Sequence, residues 1–551
     1  MRHIKLVIPV LLFFVSCGGG TNATKGYNDR KEVIFKDLDL SLDESRIKKI
    51  DNLSKLNLKI NILNKEKYLL FTNTSNKEYN IKLTQDNHIE KFYKNRDKNL
   101  SMKQVNKEHA PPYIMNFNHK LVNTSTRALK EYNIYKKDSL NSKKLFYLEK
   151  DNSISTKATA KKIVKNINTK YGNKTLNIWV SDDSFGDNCA KSYCLQEYML
   201  DELAKSFLKE GEDNDIYDWV TNIFGEEWDK TNNSNLINKS DEITILLTDI
   251  DNDNRVASGM LGYFYAKDNY KKSIYKGSNE RVMFYIDSVL FASHYGRDNW
   301  SIENHQTKKI LSTLAHEFEH MIQFYQKNVL QKNDGLKPWI DEMLAVSTED
   351  IIATKLKTRG IRGVSYIRGD AGDNNNQYGR FPLFNKIINQ TLPTWDNRLK
   401  DYAMVSSFGG YLMRNYGGAK LLHDILHNKY NDEKAIVSAT KQSPNGVDKN
   451  FDTLLQDWGI AVLLSSRTDL DVDSGYLYNS GDFIETDYKD SSYSLGSIDF
   501  FKYYIKPNIV TTIHKIAPKS NLYYKIPNNS TETISIKIDK NPNIKMAIIY
   551  K

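Results

Sequence analysis

Cysteine is scarce in this sequence: of 551 residues only three are cysteine, at positions 17, 189 and 194. Cys189 and Cys194, in FGDNCAKSYC, have no neighbouring histidine or further cysteine, so the four donors of a structural zinc site are missing. Long apolar runs are missing as well. Beyond the first residues no segment could span a bilayer, which excludes a multi-span membrane protein. Clustered positive charge is a third absence. The net charge is +10, yet the lysines are scattered among asparagines instead of gathered on a motif, so nucleic acid is excluded as a partner. At this length one ordinary core does not suffice, and two to four domains are expected.

What is present begins with an address. Arg2 and Lys5 precede an apolar stretch from Leu6 to Val15, then Ser16-Cys17 and GGGTN. This is the pattern of a bacterial export signal, and the small residue before a cysteine resembles a lipobox. Residues 1–16 are therefore expected to be a lipoprotein signal peptide, with Cys17 as the lipidated residue that tethers the mature chain to a membrane of the cell envelope. In an exported chain the neighbouring Cys189 and Cys194 are expected to form a disulfide.

The chemistry sits in LSTLAHEFEHMIQF. Ile310, Leu311, Leu314, Ala315, Phe318, Met321, Ile322 and Tyr325 recur at the three- and four-residue spacing of an amphipathic helix. On it His316 and His320 lie one turn apart on one side, able to reach one Zn2+, while Glu317 projects nearby without having to bind. A catalytic zinc needs a third protein donor and keeps a fourth position for water. The elongated eleven-residue zinc motif is excluded, because its glycine and histidine positions are Gln323 and Gln326. After Asn333-Asp334-Gly335, a turn signal, PWIDEMLAVSTED places Pro338 in a first helical turn and Glu342 twenty-two residues past His320. That gap lets a second, antiparallel helix return beside the first.

AHEFEHMIQF, WIDEMLAVSTED and YAMVSSFGGYLMRNYGG resemble the hyicolysin family of neutral metallopeptidases within the gluzincins, as do ILLTDIDNDN, GYFYAKD and SNERVMFYID upstream. The likeness covers roughly residues 160 to 468. It implies an α+β zincin-like fold, peptide or protein substrates, His316, His320 and Glu342 as zinc ligands and Glu317 as catalytic base. It also places Tyr402 as a candidate oxyanion donor, whereas Tyr411 and Tyr416 fall on apolar spacing and read as core. The aspartate that thermolysin-like enzymes carry four residues after the third ligand is replaced by Val346. Glu349, seven residues on and back on the Glu342 face, is the candidate to hold a ligand histidine.

Asp249, Asp251 and Asp253 alternate as at the start of a calcium loop, but Asn254 and Met260 stand where an EF-hand needs glycine and glutamate. An acidic turn and a Ca2+ site of another kind are the two readings. Residues 282–286 read as a strand that either pairs with substrate at a sheet edge or lies buried inside the sheet. His423 and His427 repeat the four-residue spacing without the glutamate, Asp424 standing in its place, and read as surface or structural. ATAKKIVKNINTKYG reads as helical.

The expected layout is a tether and small β-rich or mixed domain over 17–155, either a prosegment or a spacer; an α+β peptidase domain over 156–468; and a β-sandwich-like domain over 469–551. The rival reading is a surface adhesin on an inactive zincin scaffold, supported by the basic flanks and Arg368-Gly369-Asp370.

Overall fold

Among the described residues six short strands come first: β1 (Lys36–Asp39), β2 (Ile47–Ile50), β3 (Lys55–Asn61), β4 (Lys67–Asn73), β5 (Tyr79–Asn80) and β6 (Lys82–Gln85). The computed structural model describes residues 35–39, 46–51, 53–61, 66–85, 110–121, 137–209, 215–358, 379–467, 469–484, 492–511, 513, 515–526 and 533–551. The export signal, Cys17 and Arg368-Gly369-Asp370 lie outside these residues.

Helix α1 (Pro112–Asn118) precedes β7 (Lys143–Tyr147), β8 (Ser155–Thr169), β9 (Gly172–Ser181), α2 (Glu197–Phe207), α3 (Ile216–Phe224), β10 (Glu242–Thr248), β11 (Gly262–Phe264) and β12 (Val282–Asp287). These strands form one six-stranded sheet in the order β11-β12-β10-β9-β8-β7. β9, β10 and β12 run parallel and β11 antiparallel to β12. One expectation is corrected here and one open alternative is decided. Residues 155–169 are strand, not helix: a two-residue loop at Lys170-Tyr171 folds β8 back onto β9, and the β-branched Ile163, Val164 and Ile167 suit that ladder. Of the two readings of residues 282–286 the buried one holds: β12 is interior, flanked by β10 and β11, so its main-chain groups are spent on neighbours. The edge on that side is β11.

The helices follow: α4 (Ser288–Ala292), α5 (His305–Gln323), α6 (Pro338–Ile351), α7 (Arg380–Ile387), α8 (Leu399–Tyr416), α9 (Ala419–His427), α10 (Glu433–Thr440) and α11 (Phe451–Leu464). α5 packs beneath β11 and β12. Its apolar residues Ile310, Leu311, Leu314, Phe318, Met321 and Ile322 are all buried in the main core. Glu317 and Glu319 are buried too, so even its polar face turns inward. Pro338 starts α6, where a missing N–H costs nothing. α8 presses on α6 at Gly409, where any β-carbon would stand 2.4 Å from Ser347 Oγ; a larger residue would push the two helices apart.

A hairpin of β13 (Gly481–Ile484) and β14 (Ser492–Leu495) leads to β15 (Lys515–Ile516), β16 (Ser520–Lys525), β17 (Thr533–Asp539) and β18 (Ile544–Tyr550). The last strands do not make a sheet of their own. They interleave with the first ones, in the orders β1-β3-β17-β6 and β16-β4-β18-β2. The two flanking domains expected from sequence are thus one sandwich built from both ends of the chain. Period-two alternation builds it: Leu56, Leu58, Ile60, Ile536 and Ile538 meet Leu69, Phe71, Met546 and Ile548 in its core. Tyr68, Leu70, Ala547 and Ile549 point the other way into the main core, beside α11.

The protein is therefore α+β. No helix among the described residues is long and apolar enough to cross a membrane.

Candidate metal centre

The antiparallel return of α6 alongside α5 decides the site. His316 and His320 turn their Nε2 atoms toward each other, 3.1 Å apart. Glu342 faces both, with Oε2 at 3.3 Å from His316 Nε2 and Oε1 at 3.8 Å from His320 Nε2. The other ring nitrogens are already engaged. His316 Nδ1 lies 2.8 Å from Glu349 Oε1, and His320 Nδ1 lies 2.9 Å from Asp341 Oδ1. Carboxylates cannot donate, so each Nδ1 carries a proton, and in the neutral ring each Nε2 presents a lone pair. Two lone pairs and a carboxylate then converge on one point, and Glu342 Oε2 has no hydrogen-bond partner. Such an arrangement repels itself unless positive charge sits within it, and two histidines with one glutamate are a donor set that suits zinc. The residues present fit the ion.

The carboxylates around the pair act in the same direction. Burial alone would lower the pKa of His316, but Glu342 and Glu349 more than offset it and raise it to about 9. His320 is part-buried, which would lower its pKa, and Asp341 and Glu342 push it well up instead.

Glu349 is held in its charged form. Burial would favour the neutral acid, yet Arg380 and His316 bring its pKa down to about 2. Arg380 Nη1 lies 3.0 Å from Glu349 Oε1, and Ser312 Oγ donates to Oε2 at 3.1 Å. On the other histidine, Asp341 accepts from Gln323, and His119 Nε2 lies 3.1 Å from its second oxygen. Ligand histidines fixed this way keep tautomer and ring orientation.

Glu317 reaches the edge strand, where Phe264 N–H donates to its Oε2 at 2.9 Å; its Oε1 is unpartnered. Burial raises the Glu317 carboxyl pKa, and the two histidines pull against that. Tyr402 is buried on α8, its hydroxyl donating to Asn397 Oδ1 at 2.9 Å. Burial, and then the charge of Glu342, hold that phenol well above its ordinary pKa.

The structure thus brings His316, Glu317, His320, Glu342, Glu349 and Tyr402 to one place. Sequence reasoning missed Asp341, His119, Gln323 and Arg380. Asp341 had a readable signal, since it lies eight residues before Glu349 and so on the same helical face. Arg380 had none, because it reaches the site from a separate helix.

Residues 154–522 match the Peptidase M30 family. The chain belongs to that family. It is also 28% identical over 319 residues to the "Neutral metalloprotease ShpI" of Staphylococcus hyicus, covering 57% of this chain and 61% of the relative. The family match takes in the HEFEH helix, α6 and the helical lobe, and extends into the sandwich strand β16.

Elsewhere, Cys189 and Cys194 are disulfide-bonded. The loop they close carries Lys191 into the acidic turn, 2.8 Å from both Asp249 Oδ2 and Asn252 Oδ1 and 3.1 Å from Asp183. A lysine supplies the positive charge at that turn. His423 Nδ1 and His427 Nε2 lie 2.8 and 3.0 Å from the carbonyl oxygens of Ile223 and Phe224, capping the end of α3.

Proposed function

We propose that this chain is a zinc-dependent endopeptidase with His316, His320 and Glu342 as ligands and Glu317 as general base, on a zincin-like scaffold. The observation that carries the reading is the convergence of two imidazole Nε2 atoms and an unpartnered oxygen of Glu342 beside the free oxygen of Glu317. Zinc held there would lower the pKa of water to about 7 and polarise a peptide carbonyl. Glu317 takes the proton of the attacking water on Oε1 and returns it to the leaving amine. Its other oxygen stays fixed on the Phe264 amide, which aims the carboxylate. Tyr402 stands next to Glu342, and its one hydroxyl proton turns from Asn397 Oδ1 to the oxyanion as the carbonyl becomes tetrahedral. Glu349 and Asp341 hold the ligand rings still throughout.

The substrate class is peptides and proteins. The export signal and Cys17 support a lipid-anchored protein of the bacterial cell envelope. The intact Glu317 speaks against an inactive adhesin.

The test is metal analysis of the purified chain combined with prolonged incubation with an unstructured protein such as casein. Stoichiometric zinc, cleavage abolished by chelation and cleavage restored by zinc are expected. Hydrolysis that survives complete metal removal would overturn the reading. For the anchor, the native chain should carry acyl chains on Cys17 by intact-mass analysis; an unmodified mature chain contradicts it.

A further inference from the structure

The reacting groups proposed above are shut away. Glu317 is 1% exposed, and the side chains of His316 and Glu342 are 0% and 2% exposed. The cavity beside them holds only about 20 Å³, room for about one water. Part of its wall comes from outside the sheet and helices of the site: Ala110, Met115 and Asn118, in and just before α1.

This segment is bound as a ligand would be. β11 is the sheet's edge among the described residues, beside Glu317. The Asn118 carboxamide binds at the end of that edge, to the last residue of β11 and to the turn that follows it. Its Nδ2 donates to Phe264 O at 2.9 Å, and its Oδ1 accepts from Ala266 N–H at 2.8 Å. A carbonyl and the amide two residues on are what one residue of an added strand would engage. Next to it His119 reaches Asp341, the carboxylate that orients His320, and accepts the Gly335 amide on its main-chain oxygen at 2.8 Å. Upstream, Ala110 O accepts from Asn397 Nδ2 at 3.1 Å, and Asn397 is the residue that holds the Tyr402 hydroxyl. Ile114 and Met115 anchor the segment in an apolar cluster with Tyr263 and Tyr285. One short stretch thus touches the edge strand, the partner of His320 and the partner of Tyr402.

We infer that residues 110–121 are a built-in occupant of the substrate cleft, which keeps the full chain latent until the segment withdraws. This rests on the peptidase reading for its consequence and on the contacts alone for the occupancy. In this role Asn118 stands in for a substrate main-chain unit.

The experiment uses the full, zinc-loaded chain and the double variant Met115→Asp/Asn118→Ala, in which a buried apolar anchor and the edge-strand contact are both removed. Two quantities are read: the initial rate on a short internally quenched peptide, and hydrogen exchange at residues 262–266. The variant is expected to hydrolyse at least tenfold faster and to exchange faster across that stretch. Equal rates in an active pair overturn the inference, whatever the exchange shows. If neither protein hydrolyses peptide, faster exchange in the variant upholds the occupancy while the peptidase reading falls, and unchanged exchange overturns both. Should the double variant fail to fold, Asn118→Ala alone carries the same comparison.

Discussion

Two helices of this protein carry histidines four residues apart, and only one of them builds a donor set that could hold a metal. On α5 the rings of His316 and His320 stand nearly perpendicular, with a carboxylate behind each Nδ1 and a third in front. On α9 the rings of His423 and His427 stack at 4.2 Å and bond to backbone carbonyls. The consequences are opposite. Burial, then the neighbouring His423, lower the pKa of His427 to about 4, whereas carboxylates raise that of His316 to about 9 despite its burial. Spacing brings two imidazoles together; the acids on the facing helix decide whether they collect positive charge or avoid it.

The largest effect that sharpens this contrast is on metal content. His320→Ala should abolish stoichiometric zinc, while His427→Ala should leave it intact, both read by mass spectrometry of the metal. Loss of zinc from the His427 variant would dissolve the distinction. Next come the supporting acids: Glu349→Gln and Asp341→Asn should each weaken zinc affinity by about 10- to 100-fold, measured by competition with a chelator, because an amide no longer fixes the proton on Nδ1. Tyr402→Phe should then lower turnover by about tenfold or more at unchanged zinc content, since its bond to the oxyanion exists mainly in the transition state.

The smallest effect belongs to α9. With its folded pKa below the unfolded value of about 6.5, His427 stabilises the fold fully above that pH and loses the contribution as pH falls toward about 4. His427→Gln should therefore flatten the decline in unfolding free energy between those limits by on the order of 1 kcal/mol, read from urea midpoints. A decline as steep in the variant as in the parent would assign the pH dependence to other groups.

The same contrast marks how far the sequence could be read. Helix α5 was legible because its apolar residues keep a 3.6 period, and α6 because a turn, a proline and an acid follow at a workable distance. Glu349 was reachable by the same helical arithmetic. What was hidden depends on partners far away in sequence. Among the described residues β11 rather than β12 forms the edge, which only the assembled sheet determines. β3 pairs with β17 across more than four hundred residues, so no local pattern reveals that both chain ends make one sandwich. Residues 155–169 carry a lysine-rich pattern compatible with helix, and their place in the β8–β9 ladder overrode it.

On the proposed reading Glu317 moves a proton while His316, His320 and Glu342 hold the metal. Glu317→Gln separates the two roles, because the amide keeps the shape of the side chain and leaves all three ligands in place. Zinc content and turnover of this variant should be measured on the same preparation. Zinc retained at the parent level with turnover reduced by about 10²- to 10⁴-fold is the expected result; hydrolysis at the parent rate with zinc in place would contradict the account.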